Sequence, residues 1–155
     1  VCWSLLNAPT AGVAYGAHGL WGWHDRAMEA VNHRGLGVGQ CWDVAMKFPG
    51  SGDVGQIGEI FRSIEWWKLR PDAEMVLSPR ESEPLRYVAA SRSQARDVAV
   101  IYLPQAMEIS VDVSRIEAGL RGAWFSPATG EGVEAAGEGR FSPPGEGDWL
   151  LVFSK

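Results

Sequence analysis

The sequence predicts an α+β fold in which a helical, tryptophan-rich first half is followed by an antiparallel β half. Apolar side chains recur at helical spacing before Pro71 and at a period of two after it. After Pro71, short apolar runs are separated by proline- and glycine-containing turns, and no helical pattern lies between them. We therefore predict two domains, over residues 1–71 and 72–155.

In the first half, three segments have a readable pattern. Small and apolar residues over 10–16 are typical of a buried strand, and residues 25–32 fit a short helix. The clearest helix runs from about Val54 to Ile64, with Asp53 as its N-cap. Its apolar face consists of Ile57, Ile60, Phe61 and Ile64.

In the second half, the pattern predicts at least six strands. Met107 to Val113 alternates apolar with polar residues, which indicates a strand with one wet face. Val98 to Leu103 has no polar alternation and is therefore expected to be a central strand. Further strands are predicted at Leu85–Ser91, Arg121–Phe125, Gly132–Ala136 and Trp149–Phe153. Such a series of short strands is typical of an antiparallel sandwich.

Composition narrows the classes of protein that are compatible with the chain. The 155 residues are 46% hydrophobic and 21% charged, which is enough for one or two small cores. The net charge is −5 and no basic run occurs, so nucleic acid and anionic membranes are not expected as partners. Cys2 and Cys41 both lie beside a tryptophan, which favours buried thiols over a disulfide.

The segment over residues 14–23 carries the chemistry that points furthest towards function. It brings Tyr15, His18, Trp21 and Trp23 together with three glycines. Aromatic faces, an imidazole and backbone left accessible at glycines suit a sugar better than a phosphate, because the segment contains no cation. The competing interpretation is a tryptophan-rich loop that only packs a core, which is the commoner role of buried aromatics.

This segment and its flanks resemble the apiosidase-like glycoside hydrolases of bacteria. The resemblance runs through Trp3-Ser4-Leu5-Leu6, Trp42-Asp43-Val44-Ala45-Met46, Trp66-Trp67-Lys68-Leu69-Arg70-Pro71-Asp72 and Val100-Ile101-Tyr102-Leu103-Pro104. It continues through Trp124-Phe125-Ser126-Pro127-Ala128-Thr129-Gly130 to Phe141-Ser142-Pro143-Pro144-Gly145. The family pattern has Asp and Arg where this chain has Ser126 and Ala128. In such proteins a (β/α)8 catalytic barrel precedes a β-rich domain, often labelled a putative collagen-binding domain of a collagenase.

The resemblance implies that residues 1–71 are the last strand and helix portion of the barrel. A barrel of this type needs about 250 residues, so we expect the chain to be a C-terminal fragment. The family's catalytic acids are expected on earlier barrel strands; we therefore assign no catalytic residue and expect the chain alone to be inactive. The missing barrel portion or a second copy of the chain is the expected partner of the strand at 10–16. Without such a partner, the strand is expected to fray or to dock against the sandwich. The family also implies a secreted or periplasmic bacterial protein.

The resemblance also implies that Tyr15, His18 and Trp21 belong to a substrate pocket, because they match the family's Tyr-Gly-x-His-x-x-Trp pattern. Trp21 would stack on a sugar of a glycan, of plant cell-wall type through the family, and His18 would contact a hydroxyl or orient a carboxylate. Trp23 has no such support and is expected in the core. No cofactor is predicted, and the spacing of the histidines does not indicate a metal site.

The β half is expected to be an accessory β-sandwich that stabilises the barrel. The alternative is a non-catalytic carbohydrate- or protein-binding module. A carbohydrate-binding module would show two or three exposed, coplanar aromatics on one sheet face. The candidates are Tyr87, Tyr102, Trp124, Phe125 and Trp149.

Overall fold

A computed structural model of the chain describes residues 1–30, 35–79 and 83–155. The fold is mixed α+β, and every strand pair within these residues is antiparallel. The chain groups into two compact units. Unit 1 comprises Val1–Val13 and Gln56–Lys155, and unit 2 comprises Ala14–Gly55.

The helices and strands are short, apart from one helix. The α-helices are α1 (Cys2–Asn7), α2 (His18–Trp21), α3 (Trp42–Ala45) and α4 (Pro49–Arg62). Single 3₁₀ turns lie at Trp66–Lys68, Ala73–Met75, Pro84–Arg86 and Val113–Arg115. The strands are β1 (Met28–Glu29), β2 (Val38–Gly39), β3 (Leu69–Pro71), β4 (Val76–Ser78), β5 (Ala89–Ser93), β6 (Ala99–Leu103), β7 (Ile109–Val111), β8 (Arg121–Phe125), β9 (Gly132–Glu134), β10 (Arg140–Phe141) and β11 (Trp149–Ser154).

A six-stranded sheet with the strand order β3-β5-β6-β11-β8-β9 is the centre of unit 1. The predicted central strand is confirmed, because β6 lies between β5 and β11. Its register pairs Ile101 with Leu151 and Val100 with Val152. The apolar run of β6 has a physical reason, since both faces of this strand are buried.

One face of this sheet shares a hydrophobic cluster with a three-stranded sheet of order β10-β7-β4. Ile101, Trp124 and Leu151 of the larger sheet belong to the same cluster as Ile109 and Phe141 of the smaller one. Burying side chains of this size stabilises the fold by about 1.5–3 kcal/mol each.

The opposite face of the six-stranded sheet packs against helical residues. Leu6 of α1 and the apolar face of α4 form a second cluster with Val100 and Val152. The buried Ser91 hydroxyl donates a hydrogen bond to the Leu6 carbonyl at 2.6 Å, and the Trp3 indole donates to the Tyr87 carbonyl at 2.9 Å. Side-chain hydrogen bonds therefore accompany the apolar contacts.

Helix α4 has the predicted apolar face but begins earlier than expected. It starts at Pro49, so Asp53 lies within the helix and is not its N-cap. Proline suits the first turn of a helix because its fixed backbone angle is already helical. The sequence-based prediction was too short because Gly50, Gly52 and Gly55 weaken the helical pattern without preventing the helix.

Unit 2 contains little regular structure. Helices α2 and α3 have four residues each, and β1 and β2 form a two-stranded ribbon with Met28 opposite Gly39. The helix predicted over residues 25–32 is wrong, since Met28–Glu29 is a strand; residues 31 and 32 lie outside the described residues. No described helix of either unit is long and apolar enough to span a membrane.

The strand predicted over residues 10–16 does not form. A strand keeps its conformation through hydrogen bonds to neighbouring strands, and no described strand pairs with this segment. Gly12 also adopts a φ of +132°, which interrupts an extended conformation. The thiols of Cys2 and Cys41 are both free, as predicted, but only Cys2 is buried, because Cys41 remains half-exposed.

Candidate functional site

The three predicted substrate-contacting residues lie close together in the sequence of unit 2 but differ in their surroundings. His18 and Trp21 are the first and last residues of α2. Tyr15 precedes the helix, and its hydroxyl donates a long hydrogen bond of 3.3 Å to the Ala45 carbonyl at the end of α3. The Tyr15 hydroxyl proton is therefore engaged within unit 2.

His18 and Trp21 form a stacked pair on one side of α2. Their ring centroids lie 6.3 Å apart with planes inclined by 25°, as the (i, i+3) spacing on a helix allows. Trp21 remains 50% exposed, whereas the Nε2 atom of His18 is enclosed and has no hydrogen-bond partner among the described residues. The exposed indole is thus backed by the imidazole.

Trp23 is exposed, which corrects the prediction that it belongs to the core. It is 67% exposed, and its ring lies parallel to that of Trp42, with centroids 5.0 Å apart and planes inclined by 4°. Its backbone adopts a φ of +49°, a left-handed conformation that is rare for a large aromatic residue. Sequence analysis could not find this pair, because no periodic pattern links residues 23 and 42.

His24 is a buried histidine of unit 2. It is 3% exposed, and neither ring nitrogen has a hydrogen-bond partner among the described residues. Its backbone amide donates to the Gly19 carbonyl at 2.9 Å, and its carbonyl accepts from the Trp42 amide at 2.9 Å. A Cβ on Gly22 would lie 2.6 Å from Nε2, so the absence of a side chain at residue 22 makes room for the ring.

Two carboxylates of unit 2, those of Asp25 and Asp43, have identified partners. Asp25 is exposed and lies 3.4 Å from the Arg26 guanidinium, an ion pair of little energetic consequence. A hydrogen bond from the Cys41 thiol lowers the pKa of the Asp43 carboxyl and raises the pKa of that thiol. Within residues 1–30, 35–79 and 83–155, no three His, Cys, Asp or Glu side chains are grouped as metal ligands.

The aromatic residues of the β half do not form an exposed platform. Trp124 is 2% exposed and packs edge-on against Trp149. The Tyr102 ring packs edge-on against Trp3, and its hydroxyl donates to Asp148 at 3.0 Å. Burial and the Asp148 carboxylate raise the pKa of Tyr102. This arrangement is that of packed side chains, not of a sugar-binding face.

Unit 1 contains a surface cavity. It has a volume of about 760 Å³ and an open mouth lined by residues of both sheets and their loops. Its walls include Ile116, Arg121, Glu134, Phe141 and Phe153. Tyr15, His18 and Trp21 do not line this cavity.

Two family models match the chain, one in each half of the sequence. Residues 1–68 match the family model described as "Apiosidase-like, catalytic domain". Residues 70–154 match the model described as "Putative collagen-binding domain of a collagenase". The second match covers more than half of the chain, and the chain belongs to that family. The resemblance noted in the sequence is thereby confirmed. No curated protein matches the chain.

Solved structures of glycoside hydrolases share the fold. A structure titled "Glycoside hydrolase" aligns with a TM-score of 0.65 and 16% identity, over 79% of this chain and 30% of its own length. A glycoside hydrolase family 5 structure from Bacteroides vulgatus ATCC 8482 aligns with a TM-score of 0.64 and 15% identity, over 74% of this chain and 26% of its own length. The chain therefore spans less than a third of either protein.

Proposed function

We propose that this chain is the C-terminal part of a glycoside hydrolase. Unit 2 contributes one wall of the sugar pocket, and the two facing sheets form a stabilising β-sandwich. Support comes from the apiosidase-like match over residues 1–68 and from the short span of the chain against glycoside hydrolase structures. In this proposal residues 1–71 are the last part of a (β/α)8 barrel, and the substrate is a plant cell-wall glycan.

The observation that carries the pocket proposal is the half-exposed indole of Trp21 stacked against His18. An indole offers a flat apolar face on which the C–H face of a sugar ring packs. The stacked His18 ring supports the indole. The hydrogen bond from the Tyr15 hydroxyl to the Ala45 carbonyl connects the segment before α2 to the end of α3. Each residue of the predicted trio thus has a role, with Trp21 making the sugar contact.

Catalysis is assigned to carboxylates outside this chain. Glycoside hydrolysis generally uses two carboxylates, about 5–5.5 Å apart for retention and farther apart for inversion. Asp25 is paired with the Arg26 guanidinium, and Asp43 accepts a hydrogen bond from the Cys41 thiol. We therefore expect the chain alone to bind glycan without hydrolysing it.

The first test is to read the coding DNA upstream of the Val1 codon. An open frame of about 250 residues, with carboxylates at the ends of barrel strands, supports the proposal. A start codon at Val1 overturns it and leaves a free-standing binding or scaffold module as the explanation.

The second test is glycan binding by the chain itself. Affinity electrophoresis in gels containing xyloglucan, arabinoxylan or pectin is expected to retard the chain. Trp21→Ala is expected to raise the dissociation constant obtained from the retardation about tenfold. The reason is that a stacked aromatic ring contributes about 0.5–1.5 kcal/mol of binding free energy in addition to its buried contact area. Trp67→Ala is the matched control, because Trp67 is 58% exposed but lies in unit 1. Equal retardation of both variants contradicts the pocket assignment.

A further inference from the structure

We propose that Trp23, stacked on Trp42, is a further sugar-stacking platform in unit 2. This inference rests on the proposed function and extends it from one aromatic contact to two. The ligand is a sugar ring of the same glycan, whose C–H face would lie on the outer face of the Trp23 indole.

The first argument is the orientation of the Trp23 ring. Its centroid lies 5.0 Å from that of Trp42 with the two planes nearly parallel, so the inner face of Trp23 is covered. The residue is nevertheless 67% exposed. A flat aromatic surface backed by a second ring and open on its other side is the geometry that a sugar ring can stack upon.

The second argument is rigidity. The Trp23 amide donates to the Leu20 carbonyl at 3.1 Å, and the next amide, that of His24, donates to the Gly19 carbonyl at 2.9 Å. The His24 carbonyl in turn accepts from the Trp42 amide at 2.9 Å, which ties the two stacked residues together through the backbone. A side chain held in place before binding loses less conformational entropy when a ligand arrives.

The third argument is the unfavourable backbone conformation of Trp23. A φ of +49° suits glycine or asparagine, so a large aromatic at this position is strained. Strained residues persist where the surrounding structure holds them, and they cluster at ligand-binding sites. An exposed tryptophan buries too little apolar surface to offset this strain. The presence of tryptophan at this position therefore favours a contact with a molecule outside unit 2.

The sharpest variant is Trp23→Gly, because glycine relieves the backbone strain while removing the ring. We expect its urea midpoint to be equal to or higher than that of the wild type, and its affinity for glycan to fall about tenfold. Trp23→Phe keeps a smaller ring and is expected to retain part of the affinity. Trp67→Ala, in unit 1, serves as the control for loss of an exposed tryptophan.

Binding is measured by NMR on the full 155-residue chain, through the indole N–H signals of its eight tryptophans, during titration with xyloglucan, arabinoxylan and pectin oligosaccharides. A saturable shift of the Trp23 signal in the wild-type chain, together with weaker glycan binding by Trp23→Gly measured through the Trp21 signal, supports the inference. If Trp21→Ala weakens binding and Trp23→Gly does not, this inference is overturned and the proposed function stands. If no glycan shifts either signal, both are overturned.

Discussion

Units 1 and 2 bury opposite kinds of side chain. Unit 1 encloses large apolar residues such as Leu6, Met75, Ile101 and Leu151 with essentially no exposure. Among the described residues of unit 2, the buried apolar side chains are small, those of Ala30 and Ala45. Many of its described large apolar residues are exposed, namely Trp21, Trp23, Leu36, Val38, Val44, Met46 and Phe48.

This difference means that the internal structure of each unit is stabilised by different interactions. A sheet covered on both faces is stabilised mainly by apolar burial. Unit 2 depends instead on backbone hydrogen bonds and on glycines that allow close approach, such as Gly19 against the Gln40 carbonyl. A group of exposed large apolar side chains marks a surface that meets another molecule or segment. Within its described residues, unit 2 therefore has many exposed apolar side chains and little core of its own.

Removing one core side chain from unit 1 is expected to have the largest effect. Ile101→Ala leaves a cavity at a fully buried position in the cluster between the two facing sheets. We expect a loss of about 2–5 kcal/mol in the free energy of unfolding. Leu36→Ala, at a 68% exposed position of unit 2, is expected to change it by less than about 0.5 kcal/mol. Urea unfolding followed by near-ultraviolet circular dichroism measures both. Similar losses in the two variants would refute the contrast between the units.

A methyl group added to a glycine tests the contribution of close approach in unit 2. In Gly19→Ala the new Cβ would lie 1.7 Å from the Gln40 carbonyl oxygen, a backbone atom that cannot move aside alone. We expect a loss of about 1–3 kcal/mol, confined to unit 2. Hydrogen exchange of individual amides should therefore accelerate in residues 14–55 and stay unchanged in β6 and β11.

Gly52→Ala is the matched control for this experiment. Gly52 lies within α4, and no heavy atom would lie within 4 Å of its added Cβ. Alanine reduces the conformational entropy of the unfolded chain, so we expect stabilisation by about 0.4–1 kcal/mol. Destabilisation by both substitutions would show that loss of glycine flexibility, not a clash at Gly19, is responsible.

Much of unit 1 could be predicted from the sequence because its strands carry a repeating pattern. The predicted Arg121–Phe125 coincides with β8, and the lack of alternation over Val98–Leu103 marked a strand buried on both faces. Strands β3, β4 and β10 were missed because two or three residues are too few to show a period. The length of α4 was underestimated for a related reason, since its first turns are rich in glycine.

Much less of the candidate site could be predicted. The spacing of His18 and Trp21 could indicate neighbours on one helix face, and their rings do stack. The exposure of Trp23 could not be foreseen, because its left-handed backbone depends on hydrogen bonds between residues brought together by folding. The strand expected at 10–16 does not form, because pairing depends on neighbours that a linear pattern does not reveal.

Thiol labelling tests the difference in burial between units 1 and 2 with the smallest change to the protein, because it requires no substitution and leaves the fold intact. Burial is the main reason that the pKa of Cys2, in unit 1, is raised from 9.0 to about 12. At pH 8 only about one Cys2 in ten thousand is then a thiolate, the reactive form. Cys41, in unit 2, is half-buried, and its pKa is raised mainly by its hydrogen bond to Asp43. Iodoacetamide should therefore modify Cys41 first, and Cys2 only after urea unfolds unit 1.

Asp43→Asn sharpens the same experiment. Removing the carboxylate that raises the Cys41 pKa increases the thiolate fraction, so Cys41 should react faster at a given pH while Cys2 remains protected. Mass spectrometry of the labelled peptides distinguishes the two sites. Modification of Cys2 at the rate of Cys41 in the native chain would mean that α1 leaves the six-stranded sheet readily, and that unit 1 is no better packed than unit 2.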